Sequence, residues 1–339
     1  MISRWMLVVV CFAIAGCDSA DTKKHRFLLK GNAELADRHE DAAIRYFNEA
    51  LKIDSCFADA HNNLGTLYFR QKDYGQAIQY YSQAIGCDPG FVPAYFNRAN
   101  TFYELKDGKS ALADIENVLR SKPDTVPGIF LKGLIYTQLK QFSEAETAFR
   151  KILAIDSANT EAITNLGTVL YYKGDYRAAR GVLSKAVSHK ANEADALNTL
   201  SQVALAENDF AAALSLVDKA IALNGTNAFY KNNKGYILLR MNSPDKALPY
   251  IDESIVLDPY NSYAYRNKGL YYLQRNDAVN AIKMLTRAVE LDTYTEQVHF
   301  YLMEAYVLDK NMEQSCAELQ IAKAHDEPAT TLVIPNCRP

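Results

Sequence analysis

"AHNNLGTLYFRQKDYGQAIQYYSQAIGCDP", residues 60–89, holds two apolar-periodic stretches divided by a short polar turn, and its pattern returns along the chain every 34 residues. The Gly65 position reads Gly31, Gly65, Ala99, Gly133, Gly167, Ser201, Gly235, Gly269 and Met303. Twelve residues further on stand Ala43, Ala77, Ala111, Ala145, Ala179, Ala213, Ala247, Ala281 and Ser315. Eight alanines and a serine at one spacing are not an accident of composition. Within each period the apolar residues recur at helical intervals over two segments of about 13 residues. A turn such as Lys173-Gly174-Asp175 separates the segments.

Small residues at the two recurrent positions let paired helices approach closely, and Tyr68, Tyr74 and Tyr81 are placed to fill the layer between them. Pro93 and Pro127 fall in the first turn of a helix, where a missing N–H is tolerated. Asp88-Pro89 and Asp258-Pro259 end second helices. Pro249 lies inside a second helix and should remove a hydrogen bond and bend it.

This period and pattern resemble the tetratricopeptide repeat. The resemblance spans residues 24–329 as nine units: 24–57, 58–91, 92–125, 126–159, 160–193, 194–227, 228–261, 262–295 and 296–329. It implies an all-α protein, a right-handed superhelical solenoid of helix-turn-helix repeats. Lys30 and Glu34 in the first unit and Met303 in the ninth depart from the pattern, as suits the capping units of a stacked array.

Ahead of the repeats, Trp5 to Gly16 is an apolar run of 12 residues. That is shorter than the roughly 20 needed to span a bilayer. Arg4 precedes it and small residues close it, the layout of a secretory signal peptide over residues 1–16. Ile14-Ala15-Gly16-Cys17 resembles the lipobox of bacterial lipoproteins, which implies that Cys17 is acylated, for instance by palmitate, and becomes the first mature residue. Ala13-Ile14-Ala15 also fits plain secretion with cleavage after Ala15. Residues 17–23 read as the lipidated cysteine with a short linker, and 330–339 as a C-terminal tail. The expected location is the cell envelope, on a bacterial membrane, inner or outer.

Export makes disulfides admissible. Cys316 and Cys337 are expected to pair, pinning a tail whose Leu332, Val333 and Ile334 can cover the last helix. Cys56 and Cys87 stand at the ends of neighbouring repeats, and their pairing is left open. Net charge is −3 with acids and bases interspersed, which carries no electrostatic footprint for nucleic acid.

Repeats occupy nearly all of this sequence, so no separate catalytic domain is expected. His25, His39, His61, His189, His299 and His325 show no metal-binding spacing, and no metal or cofactor is expected. The expected activity is binding, not catalysis.

Stacked helix pairs create a groove lined by first helices. In the family, positions 2, 5, 6, 9, 12 and 13 of each unit tend to face it. Position 6 reads Asn63, Asn97, Asn165, Asn233 and Asn267. Asparagine is a poor mid-helix residue, so its recurrence has one of two causes: an amide ladder that grips a partner's backbone, or local bonding. In the fourth unit the pattern turns apolar at Phe130, Leu131 and Leu134, beside Phe96, with Tyr103, Tyr171 and Tyr172 as a polar-tipped rim. A binding groove over repeats two to five is the expectation. Leu28, Asn97 and Leu131 stand where a carboxylate clamp needs charges.

The function expected is a membrane-anchored scaffold or adaptor for other envelope proteins, bound through their peptide or helical segments. Relatives of this build serve in pilus, outer-membrane protein or polysaccharide assembly and in control of cell-wall enzymes, and the resemblance does not choose among these.

Overall fold

The computed structural model describes residues 19–189, 194–325, 327 and 337, and every regular element among them is an α-helix. The signal segment, Cys17 and the tail residues Leu332, Val333 and Ile334 lie outside the described residues. The chain divides at Ala148/Phe149 into two compact units.

The first unit holds α1 (Ala20–Ala36), α2 (Glu40–Ile53), α3 (Ala58–Arg70), α4 (Tyr74–Cys87), α5 (Val92–Glu104), α6 (Gly108–Ser121) and α7 (Val126–Gln138), and α8 (Phe142–Ile155) begins in it. The second holds α9 (Thr160–Tyr172), α10 (Tyr176–His189), α11 (Ala194–Ala206), α12 (Phe210–Leu223) and α13 (Ala228–Arg240). It continues with α14 (Pro244–Leu257), α15 (Ser262–Gln274), α16 (Ala278–Leu291), α17 (Val298–Leu308) and α18 (Met312–Ala324). These are two helices for each of nine repeats, in the expected register. Among the described residues no helix is long and apolar enough to cross a membrane.

The turn inside each repeat explains the constancy of the period. Arg38, Lys72, Lys106, Lys140, Gly174, Asn208, Asn242, Asn276 and Lys310, each 34 residues after the last, all have positive φ. This left-handed residue ends the first helix as a Schellman turn. In the second repeat Lys72 N–H bonds the Phe69 carbonyl and Asp73 N–H the Tyr68 carbonyl, both at 2.9 Å. Asp73 then caps α4, its carboxylate accepting from Gln76 N–H at 3.1 Å. One residue thus stops one helix and the next starts another, leaving no slack in the corner.

Close packing is set by the small positions. A Cβ placed on Gly65 would lie 2.6 Å from the Tyr81 ring, and one on Gly167 would lie 2.3 Å from Leu183 Cγ. Glycine is required at both for close approach of first and second helices. The alanines from Ala43 to Ala281 and Ser315 are fully buried. In the last repeat Met303 fills the glycine position and packs on Leu319, with Cys316 and Cys337 beside them.

One expectation is corrected. Residues 20–23, read as linker, are helical: Ser19 Oγ accepts from Thr22 N–H at 3.1 Å and starts α1 four residues early. The signal was the Ser-x-x-Thr cap itself. Pro249 lies inside a second helix, α14, which runs on to Leu257.

Both cysteine pairs are disulfides. Cys316 joins Cys337 with Cα atoms 5.4 Å apart, and Cys56 joins Cys87 at 5.1 Å.

Candidate functional site

Within each unit the first helices form the inner side. α3 packs on α5 and α5 on α7; in the second unit α9, α11, α13, α15 and α17 each pack on the next. Second helices touch one another no more than marginally. A stack whose first helices are the closer spaced curves toward them, so positions 2, 5, 6, 9, 12 and 13 look into the curve.

In the first unit, the recurrent asparagines bond other asparagines of the preceding repeat. Asn63 Nδ2 donates to Asn32 Oδ1 at 2.7 Å, and Asn97 Nδ2 donates to Asn62 Oδ1 at 2.9 Å. Position 6 thus meets position 5 or 9 of the preceding repeat. The apolar break lies largely in the core. Leu131 is 3% exposed, in a cluster with Ala99, Ile115 and Ile135, so it cannot serve as an open groove residue. Phe96 and Tyr103 pack against that cluster, and burial pushes the Tyr103 hydroxyl above its ordinary value. Phe130 and Leu134 are partly buried.

In the second unit Asn233 Nδ2 donates to Asn198 Oδ1 at 2.9 Å and Asn267 Nδ2 to Asn232 Oδ1 at 2.8 Å. Asn267 is fully buried, which removes it from the groove surface. Asn165 instead bonds its own helix, at the Glu161 carbonyl. The ladder is therefore chiefly a fastening between repeats. Its position-5 partners Asn62, Asn198 and Asn232 were missed because they do not recur in every unit.

A larger group surrounds Tyr171 and Tyr172. Arg266 of α15 lies 4.9 Å from the Tyr236 ring centroid and 5.0 Å from that of Tyr263. Its Nε and Nη2 donate to Asn267 Oδ1, and Nη1 donates to the Glu296 carbonyl at 2.8 Å. Tyr301 donates to Gln297 Oε1 at 2.8 Å. Burial, then the charge of Glu296, holds Tyr171 well above the ordinary phenol value, and Tyr236 adds to it. Crowding by neighbouring atoms, then Tyr263 and Glu296, raises Tyr172, although 56% of its surface stays exposed. Tyr263 is raised by burial and Glu296 against the pull of Arg266. These residues occupy positions 12 and 13 of repeat five, 9 of repeat seven, 2 and 5 of repeat eight and 6 of repeat nine. All are inner-face positions, so the recurrence of tyrosine there was a signal available in the sequence.

Such a surface offers flat aromatic faces tipped with hydroxyls that stay protonated at neutral pH. It can bind a segment by stacking and hydrogen bonding. Nothing in it is arranged as a nucleophile with an adjacent base.

Three family models, each described as tetratricopeptide repeat, match residues 58–91, 127–159, and 164–228 with 232–294, together more than half of the chain. No curated protein sequence matches it. Among solved structures, the chain is similar to a tetratricopeptide repeat protein from Parabacteroides merdae ATCC 43184, at 17% identity and TM-score 0.53, covering 84% of this chain and 98% of that one. It is similar to PilW, a type IV pilus biogenesis factor, at 21% identity and TM-score 0.53, covering 61% and 96%. It is also similar to the APC/C hetero-tetramer Cut9-Hcn1, at 15% identity and TM-score 0.61, covering 91% and 61%. At these identities the likeness to solved structures is one of fold. The 34-residue register, the nine helix pairs and the family matches agree, and the chain belongs to the tetratricopeptide repeat family.

Proposed function

We infer that the protein is a binding scaffold that holds segments of partner proteins on the inner face of its second unit. The observation that carries this reading is the gathering of Tyr171, Tyr172, Tyr236, Tyr263 and Tyr301 around Arg266 from repeats five, seven, eight and nine. Tyrosine is among the residues most often found as binding hot spots. Tyr172 is 56% exposed at the edge of the group and so is open to a partner.

The Ile14–Cys17 motif supports a lipid anchor, and with it a place on a bacterial membrane where the scaffold gathers envelope proteins. Several acyl chains at about 0.8 kcal/mol per buried methylene make such attachment durable. PilW is a pilus biogenesis factor; an accessory role in an assembly machine of that kind is a narrower form of the same reading.

A photo-crosslinking residue at Tyr172 should capture partner polypeptide in cells, while one at Lys219, exposed on a second helix, should not. Capture from position 219 alone would reject the inner-face reading. For the anchor, Cys17→Ser should release the protein from membranes or leave a precursor; a processed, membrane-bound variant would count against lipidation.

A further inference from the structure

We propose that Asn224 is a site of covalent self-modification, in which the backbone nitrogen of Gly225 displaces the side-chain amide and leaves aspartate or isoaspartate between repeats six and seven. The reaction is independent of which face binds a partner.

Three groups with the needed chemistry meet in the turn from α12 to α13. Asn224-Gly225 is the one Asn-Gly pair of the sequence, so no side chain stands beside the attacking nitrogen. Asn224, Gly225 and Thr226 are all exposed, and among the described residues the Gly225 N–H has no hydrogen-bond acceptor. The Thr226 hydroxyl donates to Asn224 Oδ1 at 3.1 Å. That bond draws electrons from the amide carbon and stabilises negative charge on the oxygen as the nitrogen adds. The sequence's Asp-Gly pair, Asp107-Gly108, is closed by contrast: Asp107 caps α6 through the Ser110 N–H, and Gly108 is buried in that helix.

The atoms balance with water as the only added reactant. The Gly225 nitrogen gives up its proton and bonds Asn224 Cγ, the Cγ–Nδ2 bond breaks, and ammonia leaves with that proton. A cyclic imide remains, and water opens it. Cleavage of the new Cγ–N bond gives aspartate; cleavage at the Asn224 backbone carbonyl gives isoaspartate, with one methylene added to the main chain. Either product makes the net charge of −3 more negative by one.

The repeat already has a place for the aspartate. Asp54, Asp88, Asp156, Asp258 and Asp292 stand at the same position of five other repeats, and each accepts through Oδ1 the backbone N–H two residues on, at 2.9–3.0 Å. Asn224 accepts the Thr226 hydroxyl instead. Conversion to aspartate gives repeat six the charged acceptor of those repeats. Isoaspartate instead lengthens the link to Asn227, which caps α13 through the Phe229 and Tyr230 N–H groups. One product restores the turn of the repeat and the other slackens it.

The test is incubation of the full chain beside a free peptide of residues 220–229 in the same buffer, with peptide mapping by mass spectrometry and separation of the aspartyl and isoaspartyl forms. The expected result is loss of the Asn224 amide in the folded chain at a rate within tenfold of the free peptide. Gly225→Ala should slow it at least tenfold; the added methyl would meet only the Ile221 carbonyl oxygen, at 3.5 Å, an ordinary contact. Thr226→Val should slow the folded chain more than the peptide carrying the same change. Retention of the amide in the folded chain while the peptide reacts, or a rate indifferent to Gly225→Ala, would overturn the site. An Asn224→Asp chain with a lower denaturation midpoint than the parent would overturn the turn bond assigned to the aspartate.

Discussion

Asn267 donates its side-chain amide to the side-chain carbonyl of Asn232, one repeat earlier, across 2.8 Å, and both residues are buried. Arg266 donates twice to the Oδ1 of the same Asn267. One amide therefore joins repeats seven and eight and steadies the guanidinium between its two rings.

Asn267→Ala should thus leave a carbonyl and two guanidinium donors short of a partner in a buried place. A loss of about 1–3 kcal/mol is expected from unsatisfied groups of this kind. Asn165→Ala, where the amide bonds only its own helix near the surface, should stay within about 0.5 kcal/mol. Urea unfolding followed by circular dichroism separates the two, and equal effects would contradict the fastening role.

The first-to-second helix contact predicts a compensating pair. Gly167→Ala forces a methyl toward Leu183 and should cost about 1–3 kcal/mol by overpacking. Leu183→Ala in the same chain should be less harmful than the two single changes added together. A double-mutant cycle measures the coupling. Repeat three shows the tolerated version, Ala99 in the same cluster as Ile115.

At the inner-turn position, lysine is held at φ 61° in Lys72 and 60° in Lys106, where a side chain crowds the backbone. Lys72→Gly should stabilise the protein by about 0.5–1 kcal/mol, the relief of left-handed strain exceeding the added chain entropy. Gly174→Ala, at φ 78°, should do the reverse. Both are read from denaturation midpoints.

His299 gives the last repeat a pH dependence. Burial works against its charge, but Nδ1 bonds Glu318 at 2.6 Å and Glu327 adds to the attraction, so its pKa is raised above 6.5. A raised folded value contributes stability that is fully present below about pH 6.5 and is lost as pH climbs through the folded value. Amide exchange in α17 and α18 should be slower at pH 6 than at pH 8 after correction for intrinsic rates. Glu318→Gln should flatten the difference.

The helix pairs were legible because their causes are local: a left-handed turn residue, a cap that is aspartate at Asp73, Asp107, Asp175, Asp209 and Asp277, and a small residue at most crossings all fall within 34 positions. The asparagine recurrence was legible too, but its meaning depended on how far one repeat is offset against the next, which brings position 6 of Asn97 to position 5 of Asn62. Leu131 looked like a groove residue by position and proves to be core, because the first-helix face packs partly against its neighbour. The tyrosine group was the least legible. Tyr171 and Glu296 are 125 positions apart, and their approach arises from small rotations summed over several repeats.

The two disulfides stand near the two ends of the repeat array, Cys56–Cys87 across the first two repeats and Cys316–Cys337 at the last. In a one-dimensional stack each terminal repeat has a single neighbour, so unravelling ordinarily begins there. The first bridge closes a loop around α3 and α4 and leaves α1 and α2 outside it, whereas the second ties the last helix, so the two margins are not held alike. Reduction would then change the order in which the repeats come apart before it changed the fold, loosening the last helix and the junction of the first two repeats first.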